Sequence, residues 1–380
     1  MTLHTSVTLR RSLLAALVAT AACDSDSTGP AGPAAAEGVV VLNGYGQPGV
    51  TLVPDTGAAT MRIDFGVDFD GARFALRGDT LLSTSSSLGG DKLYVASLET
   101  RTLETFQMPG GGDPAGAAFL DGPAHYAVAL RGTGQVALAR RTGVGTAELT
   151  VVDDVGRCPT DVAQFGAALF VADANASCAE QTFLSEGPAR LIRIPADGAA
   201  RDTIELPGAV GSVANLTVDG DFAWVAVDGI ADYSAFPAVT FTAPGSLTKV
   251  DLRTREVVAF AQLPAGTYGA GARLGGDGRL YVSAYTTTSF AAQGVYAFAP
   301  LDLAPFRPAN GVAADGRLLL RKPNDALASC GAATADAAGR VHCLEVAADD
   351  GITTTLRVFQ GTEQLREVPA GTGGVDVAVR

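Results

Sequence analysis

One unit recurs along the chain from about residue 90: an apolar strand, a short turn, and a second strand that ends in an apolar residue, a proline and a nearby glycine. It occupies residues 92–110, 190–208, 246–266 and 354–371. Pro109, Pro207, Pro264 and Pro369 mark the strand ends, and Pro159 takes the equivalent place in a weaker copy. Proline fits there because a strand that is ending needs no further N–H donor. Between the copies lie hairpins of alternating apolar residues around tight turns, with Asp-Gly at 121–122, 219–220, 277–278 and 315–316. Each unit is therefore a four-stranded antiparallel sheet of about 45 to 55 residues, the size of a propeller blade.

The two ends of the chain say how such units close. Residues 373–380, Gly-Gly-Val-Asp-Val-Ala-Val-Arg, form a strand with no unit of their own, and the unit that opens near Val39 lacks its first strand. Pairing these ends makes a ring. The fold predicted is all-β: a seven-bladed β-propeller whose C-terminal strand completes the first blade. The blades are 38–66 with 373–380, then 68–110, 113–156, 158–208, 211–265, 267–322 and 326–371. Residues 316–321 suit either the outer strand of blade six or an extra strand of blade seven, which leaves six or eight blades open. The 46 glycines suit many tight turns, and the 47% hydrophobic content supplies a large core. A net charge of −13 and the lack of any basic patch argue against nucleic acid as a partner.

The first 37 residues read as an address. Arg10 and Arg11 precede a short apolar stretch from Ser12 to Ala22, too short for the roughly 20 residues that span a bilayer. Ala19-Thr20-Ala21-Ala22-Cys23 resembles a bacterial lipoprotein box. The resemblance implies a signal peptide over 1–22, lipidation of Cys23 and a tether over 23–37, with the propeller from 38 to 380. An ordinary secretory signal is the alternative. Arg10-Arg11-Ser12-Leu13-Leu14 also resembles a twin-arginine export signal, and Asp24 resembles an inner-membrane retention residue. The location implied is the bacterial cell envelope, on the inner or outer membrane, with lipid as the only membrane contact. Four cysteines remain, and the pairs Cys158 with Cys178 and Cys330 with Cys343 each flank one predicted hairpin. Both are expected disulfides in an oxidising compartment.

Leu93-Tyr94-Val95-Ala96, Leu280-Tyr281-Val282-Ser283 and residues 247–254 resemble the YVTN-type propeller repeats of bacteria, with the asparagine of that motif missing. That family implies a fold and a periplasmic or surface habitat rather than a reaction.

Catalytic motifs are absent from the sequence: no Gly-x-Ser-x-Gly, no His-Glu-x-x-His, no phosphate-cradling loop. His4 falls in the signal, and His125 and His342 fall in different blades, where they read as strand residues. Trp224 reads as packing between blades. Some propeller lactonases hold calcium at the channel mouth, and Asp161, Asn215 and Asp228 are this chain's counterparts for a metal-dependent hydrolase reading; otherwise no cofactor is expected. The leading expectation is a non-catalytic binding or scaffold module. The connections Ala174–Pro188, Gly229–Gly245 and Tyr285–Gly294, in blades four to six, are long and carry Phe183, Tyr233, Phe236, Phe241, Tyr285 and Phe290. Rings on loops above a rigid scaffold recognise partners, here a protein, a glycan or a small ligand, unless they only close the loops on themselves.

Overall fold

The computed structural model describes residues 38–55, 59–86, 90–123, 125–180, 183–235, 239–286, 288, 292–307 and 311–380. These form 29 strands and, among the described residues, no helix. Seven blades make a ring. Blade one is β1 (Gly38–Asn43), β2 (Gly49–Pro54) and β3 (Met61–Asp64), completed on the inside by β29 (Gly374–Val379). Blade two is β4 (Phe74–Arg77) to β7 (Thr102–Gln107), and blade three is β8 (Pro114–Phe119) to β11 (Thr146–Val152). Blade four is β12 (Pro159–Phe165), β13 (Ala168–Asp173), β14 (Arg190–Pro195) and β15 (Asp202–Glu205). Blade five is β16 (Ala214–Asp219), β17 (Phe222–Val227), β20 (Ser246–Asp251) and β21 (Glu256–Gln262). Blade six has β22 (Tyr268–Leu274), β23 (Leu280–Tyr285) and β24 (Gln293–Phe298), and blade seven runs from β25 (Cys330–Ala335) through β26 (Val341–Val346) and β27 (Thr353–Gln360) to β28 (Glu363–Thr372).

The ring follows from burial. Second strands lie between neighbouring blades, so both of their faces are covered and they read as unbroken apolar runs: β1 is Gly-Val-Val-Val-Leu-Asn and β9 (Tyr126–Leu130) is Tyr-Ala-Val-Ala-Leu, buried throughout. Outer strands such as β11 and β28 alternate, because one side meets water. The apolar residues gather in seven clusters, one at each junction between adjacent blades, including the junction of blade seven with blade one. Period-two geometry explains how one strand serves two clusters: Val40 and Leu42 pack toward blade two, Val39 and Val41 toward blade seven. Trp224 joins Tyr296 and Phe298 between blades five and six, the packing role its sequence context indicates.

The ends close as the sequence implies. Val39 pairs with Val379, Val41 with Val377 and Leu42 with Asp376. Arg380 N–H donates to Gly38 O at 2.9 Å, and Gly44 N–H to Gly373 O at 2.8 Å. Asn43, fully buried, donates its amide to Ala370 O and Thr372 O at 3.0 Å each and accepts from Thr51 Oγ1 at 2.8 Å. Gly373 sits at φ +63°, where a Cβ would strike the backbone of Tyr45.

Residues 304–307 and 311–320 resolve the ambiguity left by the sequence. Phe306 N–H and Leu318 N–H both donate to β24, at Ala297 O (2.7 Å) and Val295 O (2.8 Å), so this segment takes the outer place of blade six. Arg321 then bonds Thr362 O at 3.0 Å and bridges Glu363 of blade seven. The same segment thus serves both blades in succession. Both expected disulfides are present, each with Cα atoms 5.3 Å apart.

Candidate functional site

Inner strands begin on the face that also carries each blade's second-to-third-strand connection. The three long connections therefore stand together on that face, between β13 and β14, β17 and β20, and β23 and β24. The middle one folds back as a small hairpin of β18 (Ile230–Asp232) and β19 (Thr240–Ala243). The first is pinned at Cys178 by its disulfide and narrowed by a bridge from Ala176 to Ser185.

The aromatic residues read from the sequence divide into groups. Phe241 stacks on Tyr268, with ring centroids 5.3 Å apart. Burial disfavours ionisation of Tyr268 and Tyr285; Asp228 and then the half-exposed Tyr233 add to it at Tyr268, and Tyr45 and Tyr233 add to it at Tyr285. Phe183 stands apart, under the guanidinium of Arg131 from blade three at 5.4 Å. Phe236 and Phe290 lie outside the described residues, as does Cys23. Tyr45 and Tyr268 are additions that the loop lengths do not reveal. Tyr45 sits between two glycines in the short connection from β1 to β2, and Tyr268 opens the inner strand of blade six. Four of the chain's eight tyrosines thus collect on one face.

Asp228 follows β17 on this face. Its carboxylate accepts from Ser212 N–H (2.9 Å), Val213 N–H (3.2 Å), Ser212 Oγ (3.1 Å) and Tyr268 Oη (3.1 Å). Burial pushes it up to about 6 against these bonds. A buried carboxyl in that range, beside a phenol, can exchange a proton near neutral pH.

Deeper in, two ion pairs cross the channel. Arg73 Nη1 meets Asp161 Oδ2 at 3.1 Å. Arg273 clasps Asp376 with Nε (2.9 Å) and Nη2, and Nη2 also donates to Phe74 O at 2.7 Å. Asp161 further accepts from Val162 N–H (2.9 Å) and Leu216 N–H (2.8 Å), and Asp376 from Phe74 N–H (3.2 Å) and Val377 N–H (2.9 Å). Gly116 makes room for this: a Cβ there would stand 2.5 Å from Asp161 Oδ1. Burial pushes Asp161 up despite Arg73, and burial together with the neighbouring Arg273 pulls Arg73 down.

The three metal candidates are differently engaged. Asp161 reaches β16 only through the N–H of Leu216, next to Asn215, and is committed to Arg73 and two amides, whereas Asp228 serves Ser212 and Tyr268. Among the described residues no three His, Cys, Asp or Glu side chains converge as metal ligands. His125 precedes β9 and accepts from Arg141 N–H at 3.0 Å; His342 on β26 lies 3.2 Å from Asp336, and burial pulls its imidazole down.

No family model matches the chain, and no curated protein does. Solved structures do. A protein from Lactobacillus plantarum is 14% identical over 90% of this chain and 99% of its own, with a TM-score of 0.57. Proteins described as "a putative 6-phosphogluconolactonase", from Bacteroides fragilis and Bacteroides uniformis, are 12% and 14% identical over 91% of this chain and 98% and 100% of theirs, each with a TM-score of 0.55. At such identities the likeness establishes the β-propeller fold and nothing further.

Proposed function

We propose that this protein is a lipid-anchored β-propeller of the bacterial cell envelope that binds a protein, glycan or small ligand through the face carrying the long connections of blades four to six. The observation behind this reading is the gathering of Tyr45, Tyr233, Phe241, Tyr268 and Tyr285 on one face of a rigid ring. Rings with few rotatable bonds and one polar tip give contact area at low entropic cost. Cys23 supplies the anchor, residues 24–37 the tether, and the two disulfides suit an oxidising compartment. Crosslinking in native membranes, followed by mass spectrometry, tests this. The expected result is a reproducible partner joined through 174–188, 229–245 or 285–294, lost when 230–243 are replaced by a short glycine turn. Unchanged capture by the folded loop variant would refute the assignment of the face.

A second reading, a propeller hydrolase or lactonase, rests on Asp228 beside Tyr268 with its carboxyl near 6. Lactone-hydrolysing activity that disappears in Asp228→Asn, or on chelation of a divalent cation, supports it over the binding module.

A further inference from the structure

The channel holds more hydrogen-bond donors than acceptors at one point. Among the described residues the guanidinium of Arg73 donates a single hydrogen bond, to Asp161, although it carries five N–H groups. Arg273 stacks on Phe74 at 4.7 Å and spends Nε and Nη2 on Asp376 and Phe74 O, leaving Nη1 over. Both arginine side chains are about four-fifths buried. The two carboxylates cannot take up the surplus: Asp376 already accepts four hydrogen bonds, two of them from Arg273, and Asp161 accepts three, one of them from Arg73.

A cavity of about 190 Å³ lies between the two guanidiniums, on the side of the tyrosine face. Its polar lining is Arg73, Arg273, Asn215 and Asp376, and the rest is glycine, alanine and two valines, Val213 and Val375. The space exists in part because β22 carries a glycine at 271. A Cβ on Gly271 would meet nothing within 4 Å, and residue 271 lies on the same side of β22 as Arg273, two residues on. Buried donors without acceptors cost free energy, and a planar group with two oxygens is the complement of facing guanidinium forks.

We propose that this cavity binds a compact organic acid, its carboxylate bridging Arg73 and Arg273. The volume is below the range for drug-sized ligands and suits an acid of a few carbons. Val213, which lines the cavity, follows Ser212, whose N–H is bound to Asp228, so the cavity lies just beneath the tyrosine face. The site is separate from the loops above it and stands whatever those loops bind.

Calorimetric titration of the full chain in detergent, with sodium lactate and with lactamide at constant ionic strength, tests the proposal. Lactate should give a saturable isotherm that sodium chloride does not, and lactamide should give none. Gly271→Val, which fills the cavity and leaves both ion pairs in place, should abolish the signal while circular dichroism stays native. Arg73→Lys keeps the charge and loses the fork, and should weaken lactate at least about tenfold. The proposal is overturned if lactate does not bind, if lactamide binds equally well, or if Gly271→Val binds as the parent does. Should Gly271→Val fail to fold, an Arg73→Lys protein with unchanged lactate affinity overturns it equally.

Discussion

Asp228 shows what one buried carboxyl does to the pH response of the whole ring. Its folded value of about 6 stands above the 3.8 of the free side chain, so the folded state holds the proton more tightly than the unfolded state. The stability it contributes is complete below pH 4 and is lost as pH rises through 6. That gap corresponds to about 3 kcal/mol. In Asp228→Asn the dependence is removed. The wild-type-minus-variant difference in unfolding free energy should therefore fall by about 2–3 kcal/mol between pH 4 and pH 8, as read from urea titrations. A difference that stays flat would mean that Asp228 is solvated. Asn43 works through hydrogen bonds alone. Asn43→Ala strands Ala370 O, Thr372 O and Thr51 Oγ1 in a buried place and should cost about 3 kcal/mol. Denaturant midpoints check this, and a loss under about 1 kcal/mol would show that water replaces the amide.

At the scale of elements, the sequence is most readable where burial is most uniform. Second strands with both faces covered appear as apolar runs, and strand ends appear as prolines, so blade limits could be placed from residues such as Pro109, Pro207 and Pro264. The reading blurs at 316–321, because there Leu318 bonds one blade and Arg321 the next, and no local pattern encodes a segment shared between two sheets. The hairpin β18–β19 inside a connection was legible only as length. Cys330 and Cys343, on the paired strands β25 and β26, were legible from their spacing around one hairpin. Since this bridge ties the inner half of blade seven beside the closure, replacing both by alanine should lower stability by about 2–4 kcal/mol. The variant should also lose part of the parent's sensitivity to a reductant. An unchanged denaturant midpoint in the variant would assign that blade's stability to packing alone.

For the whole molecule, the channel was the part that sequence could not disclose. Arg73, Asp161, Arg273 and Asp376 come from blades two, four, six and one, and Gly116, which admits Asp161, comes from blade three. Nothing in a linear pattern brings residues so far apart onto one axis; the ring does it, and only after both ends have met. Ring closure is therefore the event on which the channel depends. β29 supplies Asp376 to that axis, Val377 to the cluster between blades seven and one, and an antiparallel partner for Val39 to Asn43 of β1. A chain ending at Thr372 leaves β1 as an open, apolar edge, the kind of strand that recruits another chain. Such a truncation should lose the single cooperative unfolding transition and associate, as seen by analytical ultracentrifugation. A peptide of residues 373–380, added in excess, should restore the monomer and a single transition, because it returns the missing strand without altering the rest. The same peptide with Asp376→Asn restores β1 pairing but gives Arg273 a weaker partner, and should rescue less well. If truncation leaves a monomeric protein that unfolds as the full chain does, the ring is held by its seven interblade clusters without the strand that joins its ends.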